Sequence, residues 1–138
     1  MHRKLPTDLE IFNEIYDLYY DDFKNFTRET PTRQVKNYVP LDIEAIARRL
    51  GVDGDIVFGR LYYLHRRQHS YTKEEHGMLV QVPFFDLSIG GERHPIHFPM
   101  MAAILSDLRK EHQMYLYPMW ISAGALAVSI ISVIISLW

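Results

Sequence analysis

Residues 38–68 read YVPLDIEAIARRLGVDGDIVFGRLYYLHRRQ, and the fold turns on how this run is divided. Pro40 stands ahead of a short helix, roughly Asp42 to Leu50, whose apolar positions Ile43, Ile46, Ala47 and Leu50 keep helical spacing. Gly51 supplies a left-handed cap where that helix ends. Asp53 or Asp55 caps a second helix that extends to about Gln68, with Val57, Leu61 and Leu64 as its buried stripe. Two short helices joined by a tight glycine turn make a helix-turn-helix.

Upstream, Thr7-Asp8-Leu9-Glu10 is a capping box that opens a helix. Ile11, Phe12, Ile15, Leu18, Tyr19 and Phe23 then recur at helical spacing, and the pattern fades near Phe26. Thr27 to Val35 reads as a loop. Downstream, Met78 to Phe85 (MLVQVPFF) reads as a strand that Pro83 either confines to an edge or ends. Gly90-Gly91 marks a hairpin turn, with His94 to Phe98 as the return strand. Pro99 starts another helix, with Met100, Met101, Ile104, Leu105 and Leu108 on its apolar side.

From Met114 onward there is no Asp, Glu, Lys, Arg or His. Pro118 to Trp138, PMWISAGALAVSIISVIISLW, is long enough as a helix to span roughly 31 Å, about the hydrocarbon thickness of a bilayer. Tyr115, Tyr117 and Trp120 crowd one end and Trp138 closes the other, as in the aromatic belts of membrane interfaces. Arg109, Lys110 and His112 precede the span, and the positive-inside rule places the N-terminal part in the cytosol. The N-terminus, MHRKLPTDLE, has no apolar core of a signal peptide. The expected plan is therefore a single-pass, tail-anchored membrane protein. Residues 1–112 form the cytosolic domain, 113–117 a juxtamembrane linker and 118–138 the transmembrane helix.

The span carries a second pattern. Ser122, Ala125, Ser129, Ser132 and Ser136 follow a 3-4-3-4 spacing, and at ~100° per residue the four serines share an arc of about 80°. Ile131, Ile134 and Ile135 lie opposite. In lipid, small residues let helices approach and hydroxyls bond between them, so the stripe reads as a self-association seam. The plainer alternative is that the hydroxyls bond back to their own backbone. A serine-lined pore would need several copies.

Charge is unevenly placed although the formal net charge is only −2. Residues 48–73 carry Arg48, Arg49, Arg60, Arg66, Arg67 and Lys73 against Asp53 and Asp55, whereas residues 1–23 carry six carboxylates against Arg3 and Lys4. This reads as a dipolar domain, one end basic and one acidic, able to dock head-to-tail. A DNA-binding motif needs a welcoming N-terminus on its second helix, but Asp53-Gly54-Asp55 repels phosphates there. The outward face holds Asp55, Gly59, Tyr62, Tyr63 and Arg66, without the side chains that usually read base edges. Exposed Tyr with Arg is typical of protein interfaces. Arg48, Arg49, Tyr62, Tyr63, Arg66 and Arg67 are therefore the candidate partner-binding residues, with nucleic acid disfavoured. The partners expected are membrane lipid, further copies of the chain and an unidentified protein.

Catalytic chemistry finds little to stand on. The chain has no cysteine, which removes disulfides and thiolate sites. His65 and His69 have a spacing that can chelate zinc, and His94 and His97 flank a strand, but no third ligand accompanies either pair. The bland reading of the helix pair is exposed histidines. Gly90-Gly91 belongs to no phosphate-binding pattern, and no nucleophile motif occurs. No enzyme activity, cofactor or metal is expected.

The order helix, helix-turn-helix, hairpin, helix over roughly residues 8–111 resembles the winged-helix fold, carried mainly by LDIEAIARRLGV at residues 41–52. The expected class is thus α+β, a winged helix followed by one transmembrane helix. The whole plan resembles small winged-helix membrane proteins encoded near bacterial mobile elements and antiviral systems, including membrane effectors of retron-type systems. That resemblance implies a toxic effector kept silent until infection, acting through protein contacts and assembled tails, and it transfers no functional residue. The alternative is a membrane-tethered DNA-binding transcriptional regulator.

Overall fold

Helix α1, Asp8–Lys24, starts at its capping box: Thr7 Oγ1 accepts from the Glu10 amide at 3.2 Å, and Glu10 accepts from the Thr7 amide at 2.7 Å. Ile11, Phe12 and Ile15 are its buried residues. The chain then leaves regular structure, as expected for residues 27–35, until β1, Tyr38–Pro40. Buried Arg33 organises this loop by donating to the carbonyls of Asp22, Val35 and Lys36 and lying over the Phe26 ring.

The two-helix motif follows. Helix α2 is Ile43–Leu50, with Asp42 accepting from the Ala45 amide at its N-terminus. Gly51 ends it at φ 70°, a backbone region that a Cβ disfavours. Helix α3, Gly54–Gly59, is capped by Asp53 and continues through a π-helical turn, Arg60–His65, into α4, Arg66–His69. The π turn was not anticipated. It changes the buried stripe from Val57, Leu61 and Leu64 to Val57, Leu61 and His65.

The described residues, 2–138, carry three separate antiparallel strand pairs. Strands β2, Tyr71–Glu75, and β3, Met78–Val82, form a hairpin. Strands β4, Ser88–Ile89, and β5, Glu92–Arg93, form a second across Gly90-Gly91. Strand β6, Pro95–His97, pairs with β1, matching Val39 with Ile96. The expectation of one wing, with 78–85 returning through 94–98, is corrected in pairing. Pro83, which has no N–H to give the ladder, ends β3. Phe84 and Phe85 turn into the core instead, and Phe85 bridges to Ile96.

Helix α5, Phe98–Ser136, contributes Phe98, Met101 and Leu105 to the core. There Phe12 meets Phe84 edge-on at 6.0 Å, and Phe98 stacks on Phe23 at 4.8 Å. Two units divide the chain, residues 1–105 and 106–138. Residues 113–117, expected as a linker, are helical, and α5 also passes through Pro118. Pro118 removes one backbone bond and crowds the Met114 carbonyl, but the strong helix formers around it, Leu116, Met119 and Ala123, favour continuation of the helix. The result is a mixed α+β body with small hairpins and one long apolar C-terminal helix.

Phe84→Ala in the full chain should lower stability by about 3–5 kcal/mol, because it leaves a cavity beside Phe12 of α1 and the rings of His65 and His69. Leu87→Ala, at an exposed position, should stay within about 0.5 kcal/mol. Thermal unfolding in detergent, followed by near-ultraviolet circular dichroism, reads both.

Candidate interaction surfaces

Charge fastens the helix motif to α1. Arg60 donates from Nε and Nη2 to the two oxygens of Asp8 at 2.6 and 2.9 Å, a forked pairing. His65 Nε2 lies 2.9 Å from the same carboxylate. Further along α1, Glu14 receives Arg49. The Arg60 hydrogen bonds hold the Asp8 carboxyl down at about 2, against the opposing effect of burial and with help from His65. Two of the six carboxylates in the acidic stretch, Asp8 and Glu14, are thus paired with the basic stretch inside one fold.

His65 is only 4% exposed, so the expectation of exposed helix histidines is also corrected. The π turn brings its ring to 4.9 Å from Phe12, and His69 stacks on it at 5.4 Å. Burial, then the His65 charge, lowers the His69 pKa. Among the described residues no group of three His, Cys, Asp or Glu is placed to hold a metal.

The six candidate partner residues separate into two sets. Arg49 is engaged with Glu14, while Arg66 lies 5.0 Å over the Tyr62 ring and 3.6 Å from Asp86. Tyr62 itself stacks on Phe58 at 5.1 Å. Arg48, Tyr63 and Arg67 are exposed, Tyr63 by 69%. Beside the start of α3 an open groove of about 860 Å³ is lined by Asp42, Glu44, Asp55 and Glu92, with Phe58 and His94. Four carboxylates against the single arginine of the lining, Arg93, make the groove unfavourable to a phosphate backbone.

Along the C-terminal helix, Arg109, Lys110, Tyr115, Tyr117, Trp120 and Trp138 are all exposed. Every residue from Tyr117 to Trp138 is exposed as well, Ser122 and Ala125 included. Ser129 donates to the Ala125 carbonyl at 3.0 Å, Ser132 to Val128 at 3.0 Å and Ser136 to Val133 at 2.8 Å. These three hydroxyls are satisfied within their own helix.

The β2–β3 hairpin escaped the sequence reading. Its β2 half, YTKEE, lacks the apolar alternation that marks a strand. The available signal was His76-Gly77 ahead of the apolar run, since glycine in a two-residue turn is a hairpin cue. Comparison with protein-family models, curated proteins and solved structures finds no match.

A carboxylate whose pKa is lower in the folded chain binds fewer protons when folded. The Asp8 pairing therefore stabilises fully above its ordinary value of 3.8 and is lost as pH falls through about 2. Asp8→Asn should cost about 1 kcal/mol at pH 7, after screening by solvent, and should flatten the acid limb of stability between pH 4 and 2 in urea titrations. An unchanged acid limb would show that the pairing carries no such weight.

Proposed function

We propose that this chain is a membrane-anchored protein with a winged-helix-like cytosolic body, acting through protein contacts and self-association rather than catalysis. The observation that carries the reading is the run from Tyr117 to Trp138, helical through Ser136, uncharged and exposed along its whole length. In water such a surface is far larger than the apolar patches soluble monomers tolerate. In lipid it is ordinary, and a helix satisfies its backbone there without help. The Arg109-Lys110 pair favours the cytosol for the body, and aromatic residues near both ends suit the interfaces.

The capped two-helix motif and the hairpin after it support the winged-helix reading. Against a DNA-binding role stand the carboxylate-lined groove at the start of α3 and the internal pairing of Arg49, Arg60 and Arg66. Exposed Tyr63, Arg48 and Arg67 suit a protein partner. Small residues at Ser122, Ala125, Ser129, Ser132 and Ser136 permit close packing of tails even with their hydroxyls bonded internally. The resemblance to effectors of retron-type systems extends the proposal to assembled tails that perturb the bilayer in antiviral defence.

Carbonate extraction and protease protection of the full chain should show it retained in membranes with the body accessible from the cytosol. Release by carbonate would end the membrane reading. In bilayers the wild type should be oligomeric and its overexpression should collapse the membrane potential. Ser129→Leu with Ser132→Leu should reduce both at least threefold. Salt-sensitive, sequence-specific DNA binding by the full chain in nanodiscs would favour the tethered regulator instead.

A further inference from the structure

The hairpin of β2 and β3 is the least covered part of the body. All residues from Tyr71 to Leu79 are exposed, including Met78 by 67% and Leu79 by 80%. The two strands pair only with each other among the described residues, so each keeps a free edge. A lone two-stranded hairpin is marginal in water, and a free edge is a template for another strand.

The two edges differ in charge. Strand β2, YTKEE, carries three charged side chains, whereas β3, MLVQV, carries none. His76 at φ 51° and Gly77 at φ 77° form the two-residue turn, which closes on the Glu75–Met78 pair. That closing pair is the hydrogen-bonded kind, and bonding alternates along an antiparallel ladder. Lys73–Val80 and Tyr71–Val82 are then bonded pairs too, and Leu79 and Gln81 turn their backbone groups to the free edge.

We infer that the free edge of β3 pairs antiparallel with β3 of a second copy about a two-fold axis at Val80, making a four-stranded sheet. The inference deepens the self-association reading and rests on it for the choice of occupant. In this register Leu79 faces Gln81 of the second copy and exchanges both backbone bonds with it. Val80 faces Val80, and Met78 faces Val82. No charges oppose, and the exposed Met78 gains apolar neighbours. The equivalent pairing of β2 edges sets Lys73 against Lys73, a like-charge pair that destabilises a ladder. A self-complementary surface of this kind closes as a dimer without leaving a further edge of the same type.

The chain contains no cysteine, so an introduced thiol is unique. Full-length Val80→Cys in nanodiscs or vesicles should oxidise to a disulfide-linked dimer. Met78→Cys should cross-link at least tenfold less, because its two copies lie roughly 13 Å apart, beyond disulfide reach. Gln81→Pro, which removes an outward amide, should abolish the Val80→Cys link, while Thr72→Pro on the opposite edge should leave it. Mass measurement of the same samples separates the two readings. An oligomeric chain that does not link at Val80, or links equally at Met78, overturns the edge pairing and leaves self-association standing. A monomeric chain overturns both.

Discussion

Asp8 stands in the first turn of α1, receives two hydrogen bonds from Arg60, and lies 2.9 Å from His65 Nε2, both on the second helix of the motif. A carboxylate is favoured at a helix N-terminus in any case, so one residue stabilises its own helix and fixes another. Glu14 repeats the arrangement toward α2 through Arg49. The motif is thus registered along α1 by charge at two points, and Phe12, Val57, Leu61 and Phe84 are all fully buried, with Phe12 against Phe84. Without that register, His65 would be a buried imidazole facing no carboxylate, which burial penalises.

The π turn belongs to the same arrangement. By inserting one residue into the helical repeat it brings His65 onto the Asp8 side, and Tyr63 outward. The basic character of residues 48–73 is largely spent inside the fold. What is left at the surface is an exposed tyrosine with scattered arginines, and a groove edged with carboxylates. Such a surface has little of the broad positive field by which nucleic-acid binders attract their targets.

Most elements were legible because their signals are local. The capping box at Thr7, the Asp42 cap and Gly51 each declare a helix boundary within a few residues. Strand pairing was not legible, since β1 and β6 lie far apart along the chain, Pro40 against Pro95, and both are short. Strand β2 hid behind its Lys and Glu residues, and Pro83 diverted Phe84 and Phe85 from strand to core. His65 was read as an exposed histidine, and the organising role of Arg33 in its loop was not seen, because sequence cannot show which polar side chains find buried places. Of the candidate site, the exposed positions Arg48, Tyr63 and Arg67 were recoverable from helical spacing. The internal engagement of Arg49 and Arg66 depends on tertiary partners from α1 and from Asp86.

The serine hydroxyls at 129, 132 and 136 carry a consequence for how any assembly would form. Each already donates to a carbonyl of its own helix, so a solitary span incurs no penalty for an unmet donor in hydrocarbon. Insertion and association can then be separate steps, the first complete before the second begins. Association would follow surface density, growing as copies accumulate in the plane of the bilayer and reversing on dilution.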